Sequence, residues 1–218
     1  MDTAEIRLLA LLAQCGEQPT QTPHARFSTA GGCLRAHVYD RRLLAAGDWP
    51  RVTAKPVRWR FAAEVGTALG NVIEGVARGM GAGTQLPAQL GAVHGNLDIE
   101  WPDLDAVWDL KWAGEYAWKA AQKAPDAKHV AQVNAYAVAR GRARWALVYL
   151  RLSALGKGEG VEYVLHEGEA DAAQADREVT QRWAAVEQHL AGGTLPDREV
   201  DEPTCRRLRC LHIQECYR

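Results

Sequence analysis

An α/β class fold, an α+β mixed sheet flanked by helices, is predicted by three features of the sequence. Gly95 to Trp112 alternates polar and apolar residues with period two around a polar corner at Pro102–Asp105. Arg144 to Ser153 and Val161 to His166 form a second alternating pair, joined by Gly156 to Gly160. Helical periodicity fills the segments between and after them, so the order helix, strand pair, helix, strand pair, helix suits one sheet with helices packed on it. No internal repeat or low-complexity tract interrupts this order.

A chain of 218 residues, 47% hydrophobic, can bury a substantial core in one domain. We therefore expect residues 1–218 to form a single domain, with 1–60 as an N-terminal helical segment and 196–218 as a C-terminal cysteine segment. The net charge of -1 excludes a surface that is basic throughout, so any nucleic-acid face must be local. One local region qualifies: from Arg26 to Arg60, eight basic residues stand against Asp40 and Asp48. Such a run is more often a solvated face than a phosphate-binding groove, and both readings stay open. No segment reads as membrane-spanning. Met1–Arg7 carries two acids where a secretory leader needs basic residues, and Gln14 before Cys15 is too large for a lipoprotein cleavage site. The expected location is cytoplasmic.

In chain order, an amphipathic first helix leads into a Pro/Thr-rich connector from Gln18 to His24. Ser28 or Thr29 caps a short helix running through Tyr39, and Ala45 to Pro56 is a loop. A long helix from Val57 to roughly Ala77 places Gly66, Gly70 and Glu74 on one stripe at four-residue spacing. Gly79 to Gln89 reads as a glycine-rich loop, with the next strand beginning near Leu90. After the hairpin, Asp126 caps a helix that stops at Gly141 and carries Lys128, Gln132 and Tyr136 in a row. Glu169 to Ala191 is a polar amphipathic helix.

The hairpin carries the chemistry. Its alternation places Asn96, Asp98 and Glu100 on one face and Leu97, Ile99 and Trp101 on the other; Asp109 and Lys111 share a face opposite Trp108, Leu110 and Trp112. A corner symmetric about the Asp103–Leu104 bond pairs Asp98 with Asp109, and such opposed residues lie roughly 5 Å apart. Two like charges so close repel, and a divalent cation between them removes the repulsion. The plainer reading is a solvated hairpin whose charges keep a sheet edge soluble.

The cysteines suggest a second centre. Cys205, Cys210 and Cys216 cluster near the C-terminus, while Cys33 and Cys15 lie near the other end. In a cytosolic protein such a set favours a metal or cluster over disulfides. Cys33 is the natural fourth ligand for an iron-sulfur cluster or a tetrahedral zinc, and His212 could replace it at zinc. Buried free thiols are the simpler alternative.

Cys33, Asp98, Asp109-Leu110-Lys111 and Gln132-x-x-x-Tyr136, closed by the cysteine triplet, occur in an order that resembles the PD-(D/E)XK nuclease superfamily. The similarity is to its RecB-like branch with an iron-sulfur cluster, including the AddB nuclease domain and CRISPR-associated adaptation nucleases, and it spans about Phe27 to Cys216. It implies a restriction-endonuclease-like core, a bacterial or phage setting, and a Mg2+- or Mn2+-dependent exonuclease acting on single-stranded DNA or DNA ends. Recombination, repair or CRISPR adaptation proteins are the implied partners. By the same resemblance, Asp98, Asp109 and the Leu110 carbonyl bind the catalytic metal, Lys111 activates water, and Gln132 and Tyr136 orient the DNA backbone or Lys111. Cys33, Cys205, Cys210 and Cys216 then hold a structural 4Fe-4S cluster, with zinc as the alternative. Two departures stand out. Gly70 occupies the slot of the branch's histidine ligand, leaving Glu74 or His94 as substitutes, and four residues rather than two separate Cys205 from Cys210. Gly70 also motivates a different class, a catalytically inactive DNA-binding or adaptor protein; a zinc-stabilised interaction domain is a third.

Overall fold

The computed structural model describes residues 26–29, 32–47, 57–151, 162–207, 210 and 212–217. The expected first helix, the Pro/Thr connector, Cys15, the loop after residue 47 and the Gly156–Gly160 turn lie outside the described residues.

A five-stranded mixed sheet organises the fold, in spatial order β1 (Gly83–Leu90), β2 (Val93–Trp101), β3 (Ala106–Ala113), β4 (Arg144–Arg151) and β5 (Tyr163–Glu169). Neighbouring strands run antiparallel except β3 and β4, which are parallel. That parallel pair requires a crossover, and α3 (Glu115–Ala121) and α4 (Ala127–Arg140) supply it. Ahead of the sheet come α1 (Leu34–Ala45) and α2 (Val57–Gly79). After it come α5 (Ala172–Ala175), a π-helical turn at Asp176–Gln181, α6 (Arg182–Ala191), α7 (Glu202–Arg207) and α8 (Ile213–Cys216).

Local chemistry explains why α4 sits where it does. The Asp126 carboxylate accepts from Lys128 N at 2.8 Å, and Gly141 closes the other end with φ 64. Residues Ala131 to Tyr136 of this helix are buried. Asn134, fully buried, exchanges hydrogen bonds with the Asp171 backbone: Nδ2 donates to the carbonyl at 2.9 Å and Oδ1 accepts from the amide at 2.8 Å. Helix α4 packs on β1, β3 and β4, whereas α2 packs on β1, β2 and β3. The larger core, around Leu97, Val107, Val133, Tyr136 and Leu147, lies under α4. A smaller one joins Ala77 and Ala82 to Ile99, bordered by Trp101, Trp108 and Leu110, under α2.

Several expectations are corrected. Gly83–Leu90 is a strand rather than a loop. Its sequence lacks clean alternation and contains Pro87, which is tolerated because an edge strand pairs on one side only. Helix α3 is an addition, too short to show a helical period. Cys33, not Ser28 or Thr29, is the N-cap residue of α1, and Phe27–Thr29 forms a separate 3-10 turn. Helix formation after β5 begins at Ala172, since Glu169 still belongs to the strand.

The face assignment along β2 is also corrected. Leu97 joins the core under α4, while Ile99 and Trp101 join the core under α2. The switch falls at Asp98. In the β1–β2 ladder, Thr84 pairs with Ile99 and Leu86 with Leu97, but Gln85 and Asp98 do not pair. Gln85 has φ 50, the left-handed region that a residue with a long side chain rarely adopts. Both strands therefore change faces together at this one unpaired position.

Candidate active site

The β2–β3 ladder has the predicted register, Trp101 with Ala106, Glu100 with Val107 and Ile99 with Trp108, and it stops there. Asp98 and Asp109 are next in register but do not pair. Instead Leu110 N donates to Asp98 Oδ2 at 2.8 Å, so a side chain takes the place of the strand. The fork that results holds the acidic groups.

Asp109 is 2% exposed. Its Oδ2 lies 2.7 Å from Lys111 Nζ in an ion pair, and no second donor among the described residues reaches this buried oxygen. Burial pushes the Asp109 carboxyl up to about 6; the nearby Asp98 adds to this and Lys111 opposes it. Burial likewise raises Asp98, against the Leu110 amide and Lys111. Lys111 Nζ donates to Gln132 Oε1 at 3.0 Å, which ties β3 to α4. Glu74 is buried on α2 and accepts from Gln85 Nε2 at 2.8 Å; the same amide is 3.5 Å from Asp98 Oδ1.

Tyr136, buried, closes the α4 side. A Cβ at Gly95 would lie 2.8 Å from Tyr136 Oη and 3.2 Å from the Phe27 ring, so only glycine admits this approach to β2. Burial raises the Tyr136 phenol well above its usual value, and the charges of Asp109 and Asp98 act in the same direction. The phenol therefore stays protonated.

Asp98, Asp109, Lys111, Gln132, Tyr136 and Glu74 are thus brought together. His94 is not. It is exposed four residues before Asp98, a strand distance of roughly 13 Å. Lys128 stays exposed at the start of α4. Sequence reasoning missed two groups. Gln85 lay in the supposed loop. Tyr149 is the partner of Lys111 in the β3–β4 ladder, and its Oη is 2.8 Å from His129 Nδ1 and accepts from Asp126 N at 3.1 Å. Burial, reinforced by the charge of Lys111, holds the His129 imidazole down at about 4, so it is neutral beside the ammonium. Its position three residues before Gln132, one helical turn away, was the available signal.

Among the described residues, no three or more His, Cys, Asp or Glu side chains are arranged ready to hold a metal ion. Gln85 and Lys111 hold the carboxylates instead. The donor set still fits a hard divalent cation: carboxylates converge, and one has a buried oxygen that no donor among the described residues but the Lys111 ammonium reaches.

The cysteines meet elsewhere. Cys33, Cys205, Cys210 and Cys216 are free thiols lining one cavity with Tyr39, Arg198 and His212. Burial raises the Cys210 thiol, and the other three cysteines add to the shift. His212 Nε2 is 2.6 Å from Asp40 Oδ1 and its ring stacks on Tyr39. The chain ends are joined by polar contacts as well. Glu199 accepts from Leu34 N at 2.8 Å and forms a two-pronged pair with Arg182.

No helix among the described residues is long and apolar enough to cross a membrane. No protein-family model matches the chain, and no curated protein matches its sequence. Solved structures do resemble it. A phage-related exonuclease from Haemophilus somnus 129PT overlaps at TM-score 0.42 and 14% identity, over 57% of this chain and 66% of that one. The alkaline exonuclease LHK-Exo from Laribacter hongkongensis overlaps at TM-score 0.48 and 12% identity, over 86% and 95%. The structure of SSO0001 overlaps at TM-score 0.57 and 13% identity, over 100% of this chain and 97% of that one, a likeness that shows a shared fold.

Proposed function

We propose that this chain is a Mg2+- or Mn2+-dependent deoxyribonuclease of the PD-(D/E)XK type, an exonuclease acting on single-stranded DNA or DNA ends. The observation that carries the reading is the fork between β2 and β3, where buried Asp109 faces Lys111 at 2.7 Å with Asp98 nearby. The site itself, and not the exonuclease overlays, supports it.

Asp98, Asp109, Glu74 and the Leu110 carbonyl would hold the cation. When bound, it acidifies water and neutralises charge on a phosphodiester. Asp109 and Gln132 hold the Lys111 ammonium so that its remaining protons can orient the attacking water. Tyr136, buried, kept protonated and hydrogen-bonded with Gln132, would steady Gln132 as it orients Lys111. Above pH 6 Asp109 is ionised and ready for the cation. The chain would act as one domain whose ends are clipped by a 4Fe-4S cluster on Cys33, Cys205, Cys210 and Cys216. His212, held by Asp40, makes an all-cysteine set the better choice.

Degradation of end-labelled DNA in Mg2+ or Mn2+ tests the enzyme. Lys111→Ala should lower the rate at least about a hundredfold, and unchanged cleavage would refute the assignment. For the clip, anaerobic purification should yield brown protein with broad visible absorption. A colourless protein carrying one zinc would contradict it.

A further inference from the structure

Gln85 holds two carboxylates of the site but has no part in the chemistry proposed above, yet the structure keeps it in an uncommon conformation. Its backbone is left-handed at φ 50 in mid-strand, a conformation that residues other than glycine rarely adopt. It also forgoes pairing with Asp98. What this conformation achieves is aim. The amide Nε2 reaches Glu74 Oε1 at 2.8 Å and lies 3.5 Å from Asp98 Oδ1, so one neutral group spans a carboxylate of α2 and a carboxylate of β2. The orientation of the amide is chemically forced here, because carboxylates accept and only the NH2 end donates.

From this geometry, resting on the nuclease reading above, we infer that Gln85 is a ligand of the catalytic cation and fills the vacancy left by Gly70. The NH2 group bridges Glu74 and Asp98. Were a cation held by those carboxylates, a turn of the same amide would offer Oε1, a neutral oxygen donor suited to Mg2+ or Mn2+. Gly70 itself brings nothing to the site: a Cβ there would stand 3.9 Å from Glu74 Oε1, so the helix leaves this side open for a donor from β1.

Calorimetric titration of the full-length protein with Mn2+ tests the assignment. Gln85→Gly is the informative variant, since glycine accepts φ 50 without strain and only the side chain is lost. It should bind Mn2+ about tenfold more weakly than wild type. Gln85→Glu, which keeps an oxygen donor, should bind at least as tightly as wild type. If Gln85 merely competes with the cation for the carboxylates, Gln85→Gly will bind Mn2+ more tightly, and that result overturns the assignment. Unchanged affinity in Gln85→Gly, with binding abolished in Asp98→Asn, would also overturn it while leaving the nuclease site intact. Absence of Mn2+ binding by wild type would overturn both.

Discussion

Two buried carboxylates stand on the same sheet, close together, with opposite fates. Glu100 is 3% exposed and Asp109 is 2% exposed, so both lose their hydration. Glu100 is met by Arg140 Nε at 2.7 Å and Arg142 NH2 at 2.5 Å. Burial pushes its carboxyl up, but the hydrogen bonds and charges of the two guanidiniums outweigh that and hold it below the usual carboxylate range. Asp109 has one ammonium and, nearby, the carboxylate of Asp98, and its carboxyl rises. Burial alone therefore does not mark a functional acid. An acid whose positive complement is incomplete does, and the shortfall at Asp109 is what a divalent cation would make good.

The contrast can be broken from either side. Glu100→Ala should cost about 3 kcal/mol, because it removes the main anion of two guanidiniums, which keep only Pro87 O and Asp105 as partners among the described residues, and one of which already has a buried Nε without a hydrogen bond. Asp109→Asn should do the reverse and stabilise the metal-free protein at pH 7 by about 2 kcal/mol. Urea denaturation in the presence of a chelator measures both, and a destabilised Asp109→Asn would remove the distinction.

A smaller effect sharpens it. The raised carboxyl of Asp109 contributes stability that is present below its ordinary value of 3.8 and lost as pH rises through about 6. Glu100, lowered, contributes stability present above its unfolded pKa and lost as pH falls through its folded one. Metal-free protein should accordingly weaken between about pH 4 and about pH 6, and Asp109→Asn should flatten that limb alone. Denaturation midpoints taken across this range with chelator present decide the matter.

Much of this was legible in the sequence. The turn at Pro102–Asp105, the register of the hairpin, the caps of α4 and the sharing of a face by Asp109 and Lys111 all follow from short-range periodicity and side-chain chemistry. Asp98 was legible as opposing Asp109. The fork between them was not, because it forms where the Asp98 side chain takes the Leu110 amide in place of the strand, a swap that alternation does not reveal. Glu100 could not be told from Asp98 by alternation; Arg140 and Arg142, some forty residues on, decide its role. Gathering of Cys33 with the C-terminal cysteines was foreseen from spacing, whereas the Glu199 brace to Leu34 and Arg182 carries no local pattern.

The fork at Asp98 also divides the sheet mechanically. Strands β3, β4 and β5 are bound by long continuous ladders, and β1 clings to β2 along most of its length, but β2 meets β3 through three pairs and a turn. The sheet thus has a seam between β2 and β3, spanned by α2 and α4, and the proposed ligands sit on both sides of it, with Gln85 and Asp98 on one and Asp109 on the other. A cation held between them would act as a rivet, coupling local opening along the seam to the occupancy of the site.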